Sequence, residues 1–171
     1  EHLDADSIAK NLMRPEHDGY DPVISEFGVD ITDKQGNIVP GKLAEEVFTD
    51  PEKLERLENI LHPLVIEQIQ DKIKQGDRNF YVIDAPLLFE AGVDSLCDRT
   101  VVVTAPETEV EKRLQARGMT PEQIERRRRR QLSEQEKIER ADEVVNNVGD
   151  LEELQEKARD LRERILEREL S

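Results

Sequence analysis

Short apolar runs that alternate with segments of helical periodicity constrain the fold of this chain more than any other feature. The runs occupy residues 80–85, 99–104 and 143–146, and residues 1–6 resemble the end of another strand. Because the runs at 80–85 and 99–104 are apolar on both faces, we expect buried strands there. Strands separated by helices in this way predict an α/β fold in which helices cover both faces of a parallel sheet.

Helices are predicted at residues 7–13 and 42–48, and from residue 51, where Asp50 is the N-cap and Pro51 the first residue. His62 and Pro63 are expected to separate that helix from another that ends near residue 74. A helix opening at residues 104–107 carries Arg113. The last helix, from about residue 150, is expected to pack on the sheet rather than form a coiled coil. Its apolar stripe, which spans fewer than three heptads, is Leu151, Leu154, Ala158, Leu161 and Ile165.

The length of 171 residues suits one α/β domain, and residues 1–171 are predicted to form a single domain. The formal net charge of −15 argues against general binding to nucleic acid or anionic membranes, because the long-range field repels phosphates. Cys97 is the one cysteine, so no internal disulfide can form, and we expect a cytoplasmic protein. The sequence shows no apolar run long enough to cross a membrane and no signal peptide.

Two groups of carboxylates follow predicted strands. Asp4 and Asp6 are expected on one face of a strand end, because side chains alternate along a strand. Asp84 ends the run at 80–85 and is followed by a proline-bounded apolar turn with a second acid, Glu90. Carboxylates at the carboxyl edge of a parallel sheet suit hydroxyl activation or a metal-bound nucleotide. The structural alternatives are that Asp6 caps the next helix and that Asp84 only ends its strand.

Arginines are concentrated in one region of this acidic chain. Arg113 and Arg117 lie four residues apart, and residues 126–130 are all arginine. Guanidinium groups match phosphate oxygens in a bidentate geometry, and arginines on a lid stabilise phosphoryl transfer. We expect a small phosphate ligand here; a solvated helix surface and an RNA-binding patch are the alternatives.

The histidines predict no metal site, because His2, His17 and His62 lack partners at metal-ligand spacing. A lone histidine such as His62, in an apolar helical setting, is typical of a packed or capping residue. Residues 36–43 nearly match the phosphate-loop pattern, but a polar turn precedes them and Leu43 replaces the Ser or Thr that would bind Mg²⁺. We interpret that match as accidental.

Taken in order, these segments resemble the dephospho-coenzyme A kinases over almost the whole chain. No single segment is decisive, but an ordered series at compatible spacings is hard to obtain by chance. The matching segments are 3–6 (LDAD), 42–44 with 47–48, 61–64 (LHPL), 85–90 (APLLFE), 97–98, Arg113 with Arg117, Arg127 with Gln131, and 141–145 (ADEVV) with Asn147 and Gly149.

The resemblance implies a P-loop kinase-like fold with a helical acceptor-binding region at residues 14–78 and a lid at 113–140. It implies Mg²⁺-dependent transfer of the γ-phosphoryl group of ATP to the 3′-hydroxyl of dephospho-coenzyme A, the last step of coenzyme A biosynthesis. It implies catalytic roles for Asp6 as general base and for Arg113 and Arg117. At the ATP site it implies Arg113, Arg117, Arg127 and Asn147, and at the acceptor site Asp4, His62, Asp84, Pro86, Leu87, Leu88 and Glu90.

The chain departs from the family pattern at its start. Members of the family begin with a strand, a phosphate-binding loop ending in Gly-Lys-Ser/Thr, and a helix, and roughly 25 to 30 residues of this kind are absent before Glu1. That loop holds the β- and γ-phosphates, and its strand is central in the sheet. We therefore expect residues 1–171 alone to leave strand edges and apolar faces uncovered and to be inactive.

Two other functions stay open at this point. One is a different P-loop kinase that acts on a nucleotide or another small metabolite. The other is a noncatalytic interaction protein that pairs through its charged C-terminal helix. The sequence makes no prediction of the oligomeric state.

Overall fold

The computed structural model describes residues 1–48 and 50–169, and the side chains of these residues up to 167. The chain divides into two compact units, Glu1–Val93 (unit 1) and Asp94–Ser171 (unit 2). Each unit contains one pair of parallel strands together with helices, which confirms the predicted α/β class. No helix within the described ranges is both long enough and apolar enough to span a membrane.

Unit 1 consists mainly of helices. Its elements, in chain order, are β1 (His2–Asp4), α1 (Ala5–Leu12), α2 (Tyr20–Phe27), a 3₁₀ turn (Val29–Ile31), α3 (Pro40–Phe48), α4 (Pro51–Gln75) and β2 (Val82–Asp84). A second 3₁₀ turn, Val93–Leu96, follows at the boundary of the two units.

The core of unit 1 lies among α2, α3 and α4. Its buried cluster consists of Val23, Ile31, Leu43, Val47 and Leu61. On another side, α1 packs along α4 and buries Ile8 and Leu12. Each buried apolar side chain of this size contributes about 1.5–3 kcal/mol relative to an exposed one.

Helix α4 is continuous over 25 residues, so the predicted break at His62 and Pro63 is wrong. Its inner face carries Leu61, Val65 and Ile69, which are buried on both sides of the proline. Pro63 itself is exposed. A proline inside a helix costs about 3 kcal/mol, and burial of this apolar face offsets that cost.

Strands β1 and β2 pair in parallel, with Leu3 opposite Ile83. Leu3 is only 4% exposed, whereas Val82, on the opposite face, is 49% exposed. The prediction of a strand buried on both faces is therefore wrong at 80–85, and the strand is shorter than predicted. The face of Val82 also carries His2 and Asp84, and these polar side chains keep it in contact with solvent.

Unit 2 contains the second strand pair. Its elements are β3 (Val101–Thr104), α5 (Glu107–Ala116), α6 (Pro121–Arg129), α7 (Glu134–Arg140), β4 (Glu143–Asn146) and α8 (Leu151–Glu169). The register of β3 and β4 runs from Val101 opposite Glu143 to Thr104 opposite Asn146. Val103 is 60% exposed, so the strand predicted at 99–104 is not buried on both faces either.

A reciprocal set of hydrogen bonds, called the bracket below, fixes the start of both strands of unit 2. The Asp142 carboxylate accepts hydrogen bonds from the Thr100 amide and from the Thr100 hydroxyl, both at 2.8 Å. In return, the Asp142 amide donates to the Thr100 hydroxyl oxygen at 3.1 Å. Thr100 is buried, and a one-residue slip of the register would break every one of these bonds.

The C-terminal helix is attached to β4 by polar contacts, and it carries one buried apolar side chain. Lys157 Nζ donates to the Asn146 carbonyl at 2.9 Å, and Arg164 lies 3.4 Å from the Glu143 carboxylate. Leu161 of the predicted apolar stripe is buried. These contacts favour a helix packed within unit 2 over a coiled-coil seam; residues 170 and 171, the predicted end of the helix, lie outside the described range.

Candidate active site

The carboxyl ends of β1 and β2 place two carboxylates side by side. Asp4 and Asp84 are register partners at the last position of their strands. The Asp84 side chain is exposed, and its Oδ2 lies 3.7 Å from His2 Nε2. Ligands of parallel α/β proteins bind outside the carboxyl ends of the strands. This edge is therefore a candidate site in unit 1.

Asp4 and Asp6 do not share a strand face, so that prediction is wrong. β1 ends at Asp4, whose carboxylate caps α1 by accepting hydrogen bonds from the Ser7 hydroxyl (2.7 Å) and the Ser7 amide (3.1 Å). These two bonds favour the ionised form and lower the pKa of Asp4 below its usual value. Because the capping aspartate ends the strand, the residues after it follow helical and not strand geometry.

Asp6 lies in the first turn of α1 with an exposed side chain. Its carboxylate makes no hydrogen bond or ion pair to any residue in the described ranges. Asp4, in contrast, uses both oxygens on Ser7. Of the two carboxylates, only that of Asp6 has no partner within the described ranges, and its role as general base stays a prediction.

A groove runs along one side of α4. The cavity measures about 550 Å³. Positions 59 to 70 of α4 face it at helical spacings of three and four residues. The residues that line it are Asn59, His62, Pro63, Ile66 and Gln70, with Glu67 beside them and Ala91 from the chain that follows β2. His62, predicted to belong to the acceptor region, thus lines a cavity of unit 1.

The turn predicted to line the acceptor site leads from β2 to this groove. Backbone hydrogen bonds of 2.9 to 3.3 Å order residues 85–93 into compact turns. Leu87, Leu88 and Glu90 are half-buried and Pro86 is exposed. The groove is lined by Ala91, directly after the turn, and not by these four residues. Their contact with an acceptor stays a prediction.

A second cavity, of about 670 Å³, lies between β1, α1 and α4. Three of its lining residues are the cations Lys10, Arg14 and Lys72, none of which forms an ion pair within the described ranges. Lys10 and Lys72 also lie in the last turns of their helices, where they offset the negative end of the helix dipole. This cluster was not predicted from the sequence, although Lys10 and Arg14 are four residues apart.

At the carboxyl edge of the strands in unit 2, Asn147 follows β4 directly. The backbone amide of Asn147 donates a hydrogen bond to the Thr104 carbonyl at 2.7 Å, so the backbone of β3 holds this residue in place. The Asn147 side chain is half-buried. This is the position at which parallel strands present ligand-binding groups, and the predicted role of Asn147 near adenine stays a prediction.

The arginines of α5 and α6 fall into two groups. Arg113, Arg117 and Arg127 are exposed, and their side chains make no hydrogen bond or ion pair within the part of the chain that is described. These are the three arginines that the family resemblance assigns to phosphate. The contact of these three arginines with phosphate stays a prediction.

Arg128 and Arg129 form ion pairs, and those of Arg128 link α6 to α5. Arg128 lies 2.9 Å from Glu107 and 3.2 Å from Glu111, both on α5. Arg129 pairs with Glu125 at 2.8 Å, which lowers the pKa of that glutamate. Sequence analysis did not assign these roles, because residues 126–130 are identical in type and only the helix packing distinguishes them.

The parallel α/β fold, with two carboxylates at the carboxyl edge of β1 and β2, is typical of P-loop kinase-like proteins. A family model described as CoaE, dephospho-CoA kinase, matches residues 1–153. The chain belongs to the dephospho-CoA kinase family.

Curated relatives agree with this assignment. The dephospho-CoA kinase of Carboxydothermus hydrogenoformans is 41% identical over 158 residues, which cover 90% of this chain and 77% of the relative. The dephospho-CoA kinase of Aquifex aeolicus is 38% identical over 152 residues, with 88% and 78% of the two chains covered.

Solved structures share the fold. A crystal structure of TT1252 from Thermus thermophilus superposes with a TM-score of 0.78 at 30% identity, covering 95% of this chain and 83% of that one. A dephospho-CoA kinase from Campylobacter jejuni superposes with a TM-score of 0.67, covering 96% and 84%. At 22% identity, the second comparison supports the fold alone.

Proposed function

We propose that this protein is a dephospho-CoA kinase, which transfers the γ-phosphoryl group of ATP to the 3′-hydroxyl of dephospho-CoA. The observation that carries the proposal is the match of the dephospho-CoA kinase family model to residues 1–153. The exposed Arg113, Arg117 and Arg127, which form no ion pair within the described residues, support it. In a chain with net charge −15, cations are readily paired. Exposed guanidiniums that form no ion pair fit a polyphosphate ligand.

Asp6 is the proposed general base. Its carboxylate takes the proton of the ribose 3′-hydroxyl as the new bond from oxygen to the γ-phosphorus forms. The bond between the γ-phosphorus and its bridging oxygen breaks, and ADP leaves. The exposed carboxylate of Asp6 makes no hydrogen bond or ion pair within the described residues, which supports this role. The carboxylate of Asp4, in contrast, accepts hydrogen bonds from Ser7.

Arg113 and Arg117 are proposed to stabilise the negative charge on the phosphoryl oxygens during transfer, and Arg127 to bind the ATP phosphates. Asn147 is proposed to lie beside adenine, held at the strand edge by the Thr104 carbonyl. The acceptor is proposed to contact Asp4, His62, Asp84 and the turn from Pro86 to Glu90.

ATP is the proposed donor, with Mg²⁺ bound to its phosphates. Mg²⁺ binds through one or two carboxylates together with substrate phosphates, and the exposed Asp84 at the strand edge fits such a ligand. Bound in this way, the metal would neutralise phosphate charge. Asp84 would hold it together with the phosphate oxygens.

We propose a cytoplasmic location, in keeping with the single thiol of Cys97. Burial, with added repulsion from Asp94 and Asp98, raises the pKa of the Cys97 thiol. A thiol with a raised pKa is mostly protonated at neutral pH and forms disulfides slowly.

The test is turnover of the full-length gene product with ATP and dephospho-CoA, with coenzyme A followed by chromatography. Asp6→Asn should lower kcat by roughly 10²–10⁴-fold, because the proton of the alcohol loses its acceptor. Adenosine and nucleoside monophosphates, offered as acceptors in parallel, address the alternative of another P-loop kinase. Faster turnover of any of them than of dephospho-CoA would contradict the proposal.

A further inference from the structure

The cavity between β1, α1 and α4, here called the cationic cavity, reverses the charge balance of the chain. Three cations line it, namely Lys10, Arg14 and Lys72, together with two acids, Glu1 and Asp4. The whole chain, in contrast, has 40 acidic and 25 basic residues. An average stretch of its surface carries more acids than cations, so the cationic cavity is a locally positive site on an acidic protein.

The three cations of this cavity form no ion pair within the described ranges. Elsewhere in unit 1, Lys53 and Arg56 do pair with glutamates. Asp4, one of the two acids in the lining, uses both of its carboxylate oxygens to accept hydrogen bonds from Ser7. Because like charges repel, three cations around one cavity are stabilised when an anion binds between them.

The rest of the lining offers apolar groups and amides. Leu3 and Ile8 are the apolar lining residues, and both are buried. The side chains of Asn11 and Gln68 make no hydrogen bond within the part of the chain that is described. The volume of about 670 Å³ lies within the range of small-molecule sites, about 300–1,000 Å³. The cavity therefore has room for more than one phosphate group.

The cationic cavity is separate from the groove that contains His62. The two share no lining residue. On α4, Gln68 and Lys72 line the cationic cavity, whereas Gln70 lines the groove and lies about 200° around the helix from each of them. Asp4, at the end of β1, is the one lining residue of the cationic cavity that the proposed function also uses.

We propose that the cationic cavity binds a diphosphate group, at a site additional to those of the proposed function. A diphosphate ester carries about three negative charges at neutral pH, one on its inner phosphate and nearly two on its terminal phosphate. Lys10, Arg14 and Lys72 match this charge, and their nitrogens form charge-assisted hydrogen bonds with phosphate oxygens. The group occurs free, as inorganic pyrophosphate, and esterified, in nucleoside diphosphates.

The test is equilibrium dialysis of the full-length protein with labelled pyrophosphate, while an excess of a non-hydrolysable ATP analogue and of dephospho-CoA fills the sites of the proposed function. Lys72→Gln and Arg14→Gln should each weaken pyrophosphate binding roughly threefold to tenfold, because each removes one cation from the lining. Labelled UDP, tested in the same way, distinguishes the two sources. Tighter binding of UDP assigns the site to a nucleoside diphosphate, and tighter binding of pyrophosphate assigns it to the free anion.

Lys74→Gln is the matched control. Lys74 is exposed and lies in the last turn of α4, as Lys72 does, but it does not line the cavity. Both substitutions change the net charge equally, so only Lys72→Gln should weaken binding. Equal losses from the two variants, or no binding of either diphosphate to the wild-type protein, would overturn the inference. A protein that binds pyrophosphate as expected but binds no dephospho-CoA would refute the proposed function and leave the inference intact.

Discussion

The two units of the molecule are stabilised by different interactions. Of the fourteen buried apolar residues in the described ranges, eleven lie in unit 1 and three in unit 2. Unit 2 relies instead on polar contacts, namely the bracket of Thr100 with Asp142, the ion pairs of Arg128, and capping boxes that begin at Thr120 and Ser133. Exposed charge pairs are weak and screened by salt, whereas apolar burial is not. Unit 1 is thus held mainly by apolar packing, and unit 2 by contacts that salt and acid weaken.

The largest expected effect concerns the charged groups of unit 2. Arg113→Ala and Arg117→Ala should each lower kcat/KM for ATP by roughly 10²–10³-fold, because the transition-state charge loses a bidentate donor. The measurement is steady-state turnover at varied ATP. Arg129→Ala is the control, since Arg129 pairs with Glu125, and it should change turnover by less than about twofold. Equal losses in all three variants would show that general charge, and not these two guanidiniums, matters.

A core substitution tests the apolar character of unit 1. Ile69 is fully buried in α4, and Ile69→Ala should lower the free energy of unfolding by about 2–5 kcal/mol. Ile124→Ala is the counterpart in unit 2 and should cost less, because fewer buried apolar side chains lie in that unit. Urea denaturation measures both. A greater loss of unfolding free energy from Ile124→Ala than from Ile69→Ala would contradict the expectation that apolar burial matters more in unit 1.

The bracket in unit 2 is tested at its buried hydroxyl. Thr100→Val keeps the shape but removes the donor to the Asp142 carboxylate and the acceptor of the Asp142 amide. We expect a loss of about 1–3 kcal/mol in unfolding free energy. Thr100→Ser retains the hydroxyl and should therefore keep most of the unfolding free energy that Thr100→Val loses. The bracket has no stabilising role if the two variants unfold at the same urea concentration.

The smallest effect is the response to acid. Unit 2 contains five acids whose pKa is lowered by hydrogen bonds or nearby cations, namely Glu109, Glu122, Glu125, Glu136 and Asp142. In unit 1 these acids are Asp4 and Asp33. A group whose pKa is lower in the folded than in the unfolded state stabilises the fold at pH values above its unfolded pKa, which is about 4. This stabilisation is lost as the pH falls through the folded-state pKa.

Unit 2 should therefore lose its structure first on acidification. Two-dimensional NMR spectra recorded from about pH 6 to about pH 3 would report each unit through its own amide signals. Asp142→Asn should reduce the pH dependence of unit 2, because it removes one of the titrating groups. Simultaneous loss of both sets of signals in the wild-type protein would contradict the expectation.

The sequence predicted the features that depend on local chemistry. The start of α4 is one case, where Asp50 accepts from the Glu52 amide at 2.9 Å and Pro51 is in the first turn, as expected. The parallel pairing of strands is another. Both follow from residue type and spacing alone, which is why they could be predicted.

The errors arose where packing or a competing local interaction decided the outcome. Pro63 predicted a helix end, but buried residues on either side of it keep α4 continuous. Asp4 and Asp6 fit a strand pattern, but the bonds of Asp4 to Ser7 start a helix instead. The pairing of Asp4 with Asp84 and the role of Arg128 require knowledge of which distant segments meet, and spacing along the chain does not contain it.

The half-buried thiol of Cys97 matters for an enzyme whose proposed acceptor and product both carry a free thiol. The disulfide form of the acceptor would exchange with any protein thiolate. The resulting mixed disulfide would leave the acceptor covalently bound to the enzyme. With Asp94 and Asp98 beside it, Cys97 keeps its proton and is a poor nucleophile. The raised pKa of Cys97 should therefore slow its exchange with a disulfide of such a compound.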